Sequence, residues 1–247
     1  MSLYDRPDPR RLDLRASLRD VRGDWLIRVN RQRAAVSVHL VVDVSASMAF
    51  GSRKPKLQVV ADFVEALGHS AFRTGDALGM LAFDETERMD LFVPALMSRG
   101  AGSVMAGVLR SCSATASGAS GVEGATQRLA GRPGLIFLVS DFHWPLQQLD
   151  RALDSLSRAF VVPVVVWDDA EVQPPRHNGL MSLRDAESGA QRTLWMRPTL
   201  RARWGERVAA RRAELDSLFA RHALRPFYMQ GEFDAERMSR YFFEATA

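Results

Sequence analysis

Cysteine is nearly missing from this chain: Cys112 stands alone among 247 residues. No disulfide can close within it, and a solitary thiol suits a reducing compartment. Lysine is almost as scarce. Lys54 and Lys56 are the only two, so 31 of the 33 basic residues are arginines. No run of roughly 18 apolar residues occurs, so no membrane span is expected. Residues 1–11 are polar and lack the apolar stretch of a signal peptide. Together these absences predict a cytoplasmic protein with no membrane segment.

What is present suits a globular chain. Hydrophobic residues make up 47% and charged residues 25%, enough for one full core and a small appendage. The formal charge is +4, and arginine is concentrated in two places. Residues 1–34 hold nine arginines against five aspartates, and residues 192–212 hold seven against one glutamate. Two readings follow: a compositional preference for arginine, or a basic surface for an acidic partner.

Residues 1–34 alternate charge with isolated apolar positions (Leu12, Leu14, Leu18, Trp25, Leu26, Ile27), the pattern of an arm and not of a domain. One domain is expected over 35–247. Val36 to Val42 reads as a strand buried on both faces. Leu57, Val60, Ala61, Val64, Leu67, Gly68 and Ala71 recur at helical spacing. Further strands are expected at Ala77–Phe83, Leu91–Val93, Leu135–Val139, Phe160–Trp167 and Arg225–Met229. Helices are expected at Ser103–Arg110, with Ser103 near the N-cap, and at Leu146–Leu156, Thr199–His222 and Asp234–Phe243. Residues 114–124 are rich in Ser, Gly and Ala and read as a loop or a frayed helix end. A β-hairpin insertion near 179–197 is expected to turn at Glu187-Ser188-Gly189. Strands alternating with helices of this length predict an α/β fold, a doubly wound and mostly parallel sheet flanked by helices.

The chemistry-bearing segment follows the first strand: Asp43-Val44-Ser45-Ala46-Ser47. One carboxylate and two hydroxyls stand at alternate positions where a strand gives way to a loop. In open α/β sheets such loops line the crevice at the strands' carboxyl ends. A hard cation such as Mg²⁺ takes oxygen ligands and keeps some of its waters. Asp141 follows another buried strand, in Ser140-Asp141-Phe142, and Ser103 opens a helix between the two. If the sheet is parallel, Asp43, Ser45, Ser47, Ser103 and Asp141 converge on one cage for Mg²⁺, Mn²⁺ or Ca²⁺. The plainer alternative is that Ser103 and Asp141 only cap helices.

This set resembles the metal-ion-dependent adhesion site of von Willebrand factor A domains. Asp43, Ser45, Ser47 and Asp141 match that motif residue by residue, while Ser103 stands where the family usually carries Thr. The chain is also similar to the bacterial family called domain of unknown function 58. That likeness rests on Asp43 to Gly51 ahead of Lys56, Gly75-Asp76 before Gly79, and Ser140-Asp141-Phe142, with Arg11-Leu12-Asp13 and Ser17 upstream. The resemblance implies a metal with an open coordination position, filled by a Glu or Asp carboxylate of a partner protein. It also implies an adaptor working with a MoxR-type AAA+ ATPase, with no catalysis of its own.

Three other readings stay open. A Mg²⁺-dependent phosphoryl-transfer enzyme would use Asp43 as nucleophile, but position 45 is Ser where a second Asp is usual. No phosphate-binding loop, nucleophile elbow or zinc-protease motif occurs. Among the five histidines only His143 lies near the motif residues. A nucleic-acid binder would rest on the arginine clusters, but Trp25, Trp195 and Trp204, the aromatics among them, are expected in the core. A structural domain with a decayed metal site is the third reading, kept open by Ser103.

Overall fold

The structure is a computed structural model that describes residues 13–21, 24–26, 35–175, 177–184 and 190–245. The chain divides into two units, Met1–Ala34 and Ala35–Ala247. In the first, α1 is a single turn, Leu14–Ser17. The Ser17 hydroxyl donates to the Asp13 carbonyl and accepts from the Leu26 N–H, both at 2.8 Å. Leu12 and Ile27 lie outside the described residues, as does the expected hairpin turn at 187–189.

The second unit runs β1 (Ser37–Asp43), α2 (Lys56–Thr74), β2 (Ala77–Phe83), β3 (Val93–Leu96), α3 (Ala101–Ser111), α4 (Val122–Gln127), β4 (Leu135–Ser140) and α5 (Leu146–Ser155). It continues with β5 (Phe160–Trp167), α6 (Asp169–Val172), β6 (Gly179–Arg184), β7 (Gln191–Met196), α7 (Pro198–Arg221), β8 (Phe227–Gln230) and α8 (Ala235–Ala245). Six strands form one sheet in the order β3-β2-β1-β4-β5-β8. All neighbours are parallel except the edge strand β3, which is antiparallel to β2. This is the expected α/β architecture.

Continuous apolar strands need cover on both faces. Leu40 and Val42 of β1 pack on one side with Val60 and Phe63 of α2 and Met105 of α3. Val41, between them, points the other way, into a cluster with Leu149 of α5 and Leu215 and Phe219 of α7. Helices α2 and α3 meet through glycines: a Cβ on Gly68 would lie 2.4 Å from the Gly102 Cα.

Several elements differ from the sequence expectation. The third strand is Val93–Leu96, preceded by a 3₁₀ turn at Met89–Leu91, where Leu91–Val93 was expected. An edge strand tolerates Pro94 because one side has no ladder to complete. The segment 114–124, expected as a loop or a frayed helix end, runs into a new helix, α4, whose Val122, Ala125 and Thr126 are buried. Burial there outweighs the weak helix propensity of Gly124. Trp25 and Trp195 are not core residues; they are 45% and 56% exposed. Trp195 pairs with Leu180 in the separate two-stranded β6–β7 ribbon. Helix α7 begins at Pro198, a residue suited to a first turn, and its buried residues are confined to Leu215, Leu218 and Phe219.

Candidate metal centre

From β1 the chain goes to β2 on one side, and from β4 to β5 on the other. The β1/β4 pair is therefore a topological switch point, where an open α/β sheet leaves a crevice at its carboxyl ends. The register sets Val42 beside Val139, so Asp43 and Ser140 come next along the two strands. The Ser140 hydroxyl donates to Asp43 Oδ2 at 2.6 Å. Asp43, Ser45 and Asp141 are all buried. The Ser45 N–H donates to Asp43 Oδ1 at 2.9 Å, and the Ser45 and Ser47 hydroxyls lie 3.3 Å apart. The Ser47 hydroxyl also helps to hold the Asp141 carboxyl down. Four of the five expected residues thus meet at one rim of the sheet.

The fifth does not. Ser103 is the third residue of α3, after an N-cap at Gly100. It is exposed, and its hydroxyl donates to Glu65 on α2 at 3.4 Å. Glu65 is nine residues beyond Lys56, about 13 Å along the helix axis. Ser103 thus lies away from the other four, because α3 begins at the far end of α2 and not at the crevice. The segment that reaches the motif is the following loop, where Ala116 O accepts from the Ala46 N–H at 2.9 Å. Thr115 and Ser117 flank that contact.

Three side chains that sequence reasoning did not assign complete the surroundings. Lys56, at the start of α2, is 2% exposed and donates to Asp141 Oδ2 at 2.6 Å and to Glu171 Oε1 at 2.7 Å. The other Glu171 oxygen accepts from the Asp168 N–H at 2.8 Å, within a capping box that opens α6. That Asp-x-x-Glu box, directly after a buried strand, was a legible signal. His143 stacks on Trp167 with 4° between the ring planes. Among the described residues, Asp141, His143 and Glu171 offer ligand atoms within 4.8 Å of one another, a spacing that suits a metal ion.

The loop carrying Asp141 is held tightly. Phe142 is fully buried with φ of 53°, a left-handed conformation costly for a residue with a Cβ. Its N–H donates to the Ser140 hydroxyl at 2.9 Å. Arg211 of α7 donates to the carbonyls of Phe142 and Trp144 at 2.5 and 2.6 Å. The Trp144 indole donates to Asp43 Oδ2 at 3.2 Å and to Ser140 Oγ at 3.0 Å.

Burial, then the charge of Asp141, pushes the Asp43 carboxyl up to about 6, against the hydrogen bonds from Ser140 and Ser45. Burial acts to raise Asp141 as well, but the Lys56 ammonium leads the groups that pull it down to about 2. Burial disfavours the charge on Lys56, yet the carboxylates of Asp141 and Glu171 hold it above the usual lysine value. The carboxylates of Asp43, Asp141 and Glu171 against the ammonium of Lys56 leave two negative charges uncompensated. One divalent cation balances them, and the donor set is oxygen-rich, as a hard cation requires.

Residues 6–214 match the family described as protein of unknown function DUF58. The chain belongs to this family. An uncharacterized family-like relative from Mycobacterium tuberculosis is 30% identical over 213 residues, covering 78% of this chain. The match spans 65% of that relative, so this chain covers less than two thirds of its length. A protein of Paracoccus denitrificans described as lying in the moxR 3′ region is 33% identical over 92 residues, covering 37% of this chain and 88% of that protein. Among solved structures, BatB from Bacteroides thetaiotaomicron aligns with a TM-score of 0.49 at 13% identity, covering 86% of this chain and 98% of that one. No helix among the described residues is long and apolar enough to cross a membrane.

Proposed function

We propose that this DUF58 chain is a protein-docking module of the von Willebrand factor A kind that works through one divalent metal, Mg²⁺ by preference. The observation that carries the proposal is the meeting of Asp43 and Asp141, both buried, beside the hydroxyls of Ser45 and Ser47 at the switch point of the sheet. Asp43, Ser45, Ser47 and Asp141 would hold the ion, and Thr115 offers a further hydroxyl from the loop that touches the motif. When bound, the ion supplies an open coordination position for a Glu or Asp carboxylate of the partner. The chain's own residues orient that site. Ser140 and Trp144 fix Asp43, Lys56 fixes Asp141 against Glu171, and Arg211 pins the turn between Asp141 and Trp144.

We assign the partner to the MoxR-type AAA+ ATPases, a reading supported by the moxR neighbourhood in the name of the Paracoccus relative. A reducing cytoplasmic setting agrees with the lone Cys112. The phosphoryl-transfer alternative is disfavoured by the residue two positions after Asp43. Such enzymes usually carry a second Asp two residues on, and position 45 is Ser.

The test is biolayer interferometry between the purified chain and the MoxR-type ATPase of the same genome. Binding in Mg²⁺ that disappears with chelator and in Asp43→Ala is the expected result. Equal binding by wild type and Asp43→Ala, with and without chelator, would falsify metal-dependent docking.

A further inference from the structure

Beside the metal centre lies a cleft of about 620 Å³ that none of the residues above fills. Its floor is apolar: Trp167 from β5, Val172 from α6, and Trp204 and Val208 from α7. Leu194 of the β6–β7 ribbon and Leu200 close its sides. The volume falls in the range of sites that take a few side chains of a ligand. Two hydrogen bonds tie the cleft to the metal loop. The Trp167 indole donates to the Asp141 carbonyl at 2.9 Å, and the Trp204 indole donates to the Glu171 carbonyl at 2.7 Å. His143 and Glu171 line the edge that the cleft shares with the metal centre.

Helix α7 gives the cleft its sign. Leu200, Trp204 and Val208 recur every four residues and form one apolar stripe. Arg203, Arg207 and Arg211 recur at the same interval on the adjacent stripe, and all three line the cleft. Arg211 is engaged by two backbone carbonyls and Glu214. Arg203 and Arg207 are exposed, and neither has a hydrogen bond or ion pair with any described residue. The one carboxylate lining the cleft, Glu171, is taken by Lys56. An apolar floor under two guanidinium groups that have no partner among the described residues is complementary to a chain segment that carries both apolar side chains and carboxylates. Guanidinium forks favour planar carboxylates in particular.

We propose that this cleft is the specificity site for a partner peptide segment in which an aromatic or aliphatic pair is flanked by acidic residues. The apolar pair enters between Trp204 and Leu194, and the flanking carboxylates meet Arg203 and Arg207. Seated there, the segment runs toward His143 and can present one further carboxylate to the metal centre; this last step rests on the function proposed above.

The test uses fluorescence anisotropy on the full chain with three labelled dodecapeptides. One carries Leu-Trp between glutamate runs, one carries Ser-Ser between the same runs, and one carries Leu-Trp between lysine runs. The first should bind about tenfold tighter than either control, and Arg203→Ala with Arg207→Ala should remove about tenfold of that affinity. Leu200→Asp should abolish it, with circular dichroism checking the fold. Equal binding of the Ser-Ser peptide, no binding of the first peptide, or indifference to the arginine pair each overturns the proposal. So does tighter binding of an oligonucleotide at the same salt, or an arginine effect seen only in self-association by sedimentation. Chelator and Asp43→Ala separate the two readings. Arginine dependence without chelator dependence keeps the cleft and ends the metal role; chelator dependence without arginine dependence does the reverse.

Discussion

The ammonium of Lys56 lies 2.6 Å from Asp141 Oδ2, with 2% of the lysine side chain and none of the aspartate exposed. A buried pair of this kind is a weak source of net stability, because desolvation offsets most of the attraction. Its consequence is positional. It fixes the orientation of the carboxylate that faces the crevice and leaves Asp43, Ser45 and Ser47 to complete the donor set.

Replacing Lys56 by Met strands the buried carboxylate of Asp141 and leaves the half-buried Glu171 without its ammonium partner. In chelator, Lys56→Met should lose about 3 kcal/mol or more in urea unfolding. The same change removes a positive charge beside the metal centre. Mn²⁺ affinity by calorimetry should therefore rise by about tenfold or more, given the strength of charge pairs in such surroundings. A variant as stable as wild type in chelator would contradict the buried pairing.

The pH dependence of the metal-free chain follows from Asp43, whose carboxyl is raised from 3.8 to about 6. A raised carboxyl favours the folded state while it is protonated. That contribution is complete below about pH 4, is lost as pH rises through about 6, and amounts to roughly 3 kcal/mol. The melting temperature in chelator should fall between about pH 4 and pH 6.5, and Mg²⁺ should restore it. Asp43→Asn should show neither the fall nor the rescue. On the acid side, Asp141 is depressed to about 2, so its contribution is present above about pH 4 and lost toward pH 2.

The serines divide by position. Ser45→Ala or Ser47→Ala should weaken Mn²⁺ binding about tenfold, the cost of one polar contact in a buried site. Ser103→Ala should leave it unchanged and shift stability by under about 0.5 kcal/mol, as at other exposed positions. A Ser103→Ala variant with impaired metal binding would restore that residue to the cage and contradict its bond to Glu65.

The α2–α3 contact depends on two missing side chains. Gly68→Ala would place a Cβ 2.4 Å from the Gly102 backbone, where no flexible group can yield. Separation of the helices should cost about 1 to 3 kcal/mol in chemical denaturation, despite alanine's better helix propensity. Metal affinity should be retained, since Gly68 is twelve residues along α2 from Lys56.

The sequence alone determined the layered α/β fold, because buried parallel strands need unbroken apolar runs and their covering helices need apolar stripes. Val36 to Val42 and Leu135 to Val139 carry that signal in their composition, and Asp43 and Asp141 stand one and two residues past them. Tertiary structure alone decided which hydroxyls share their rim. Ser103 and Thr115 both occupy plausible loop positions along the chain, and only the packing of α3 on α2 carries the first away. The same holds for Lys56 and Glu171, which are 115 residues apart and meet through β5 and α6. Local pattern fixes the face a side chain takes on its own element; long-range packing fixes which elements bring their faces together.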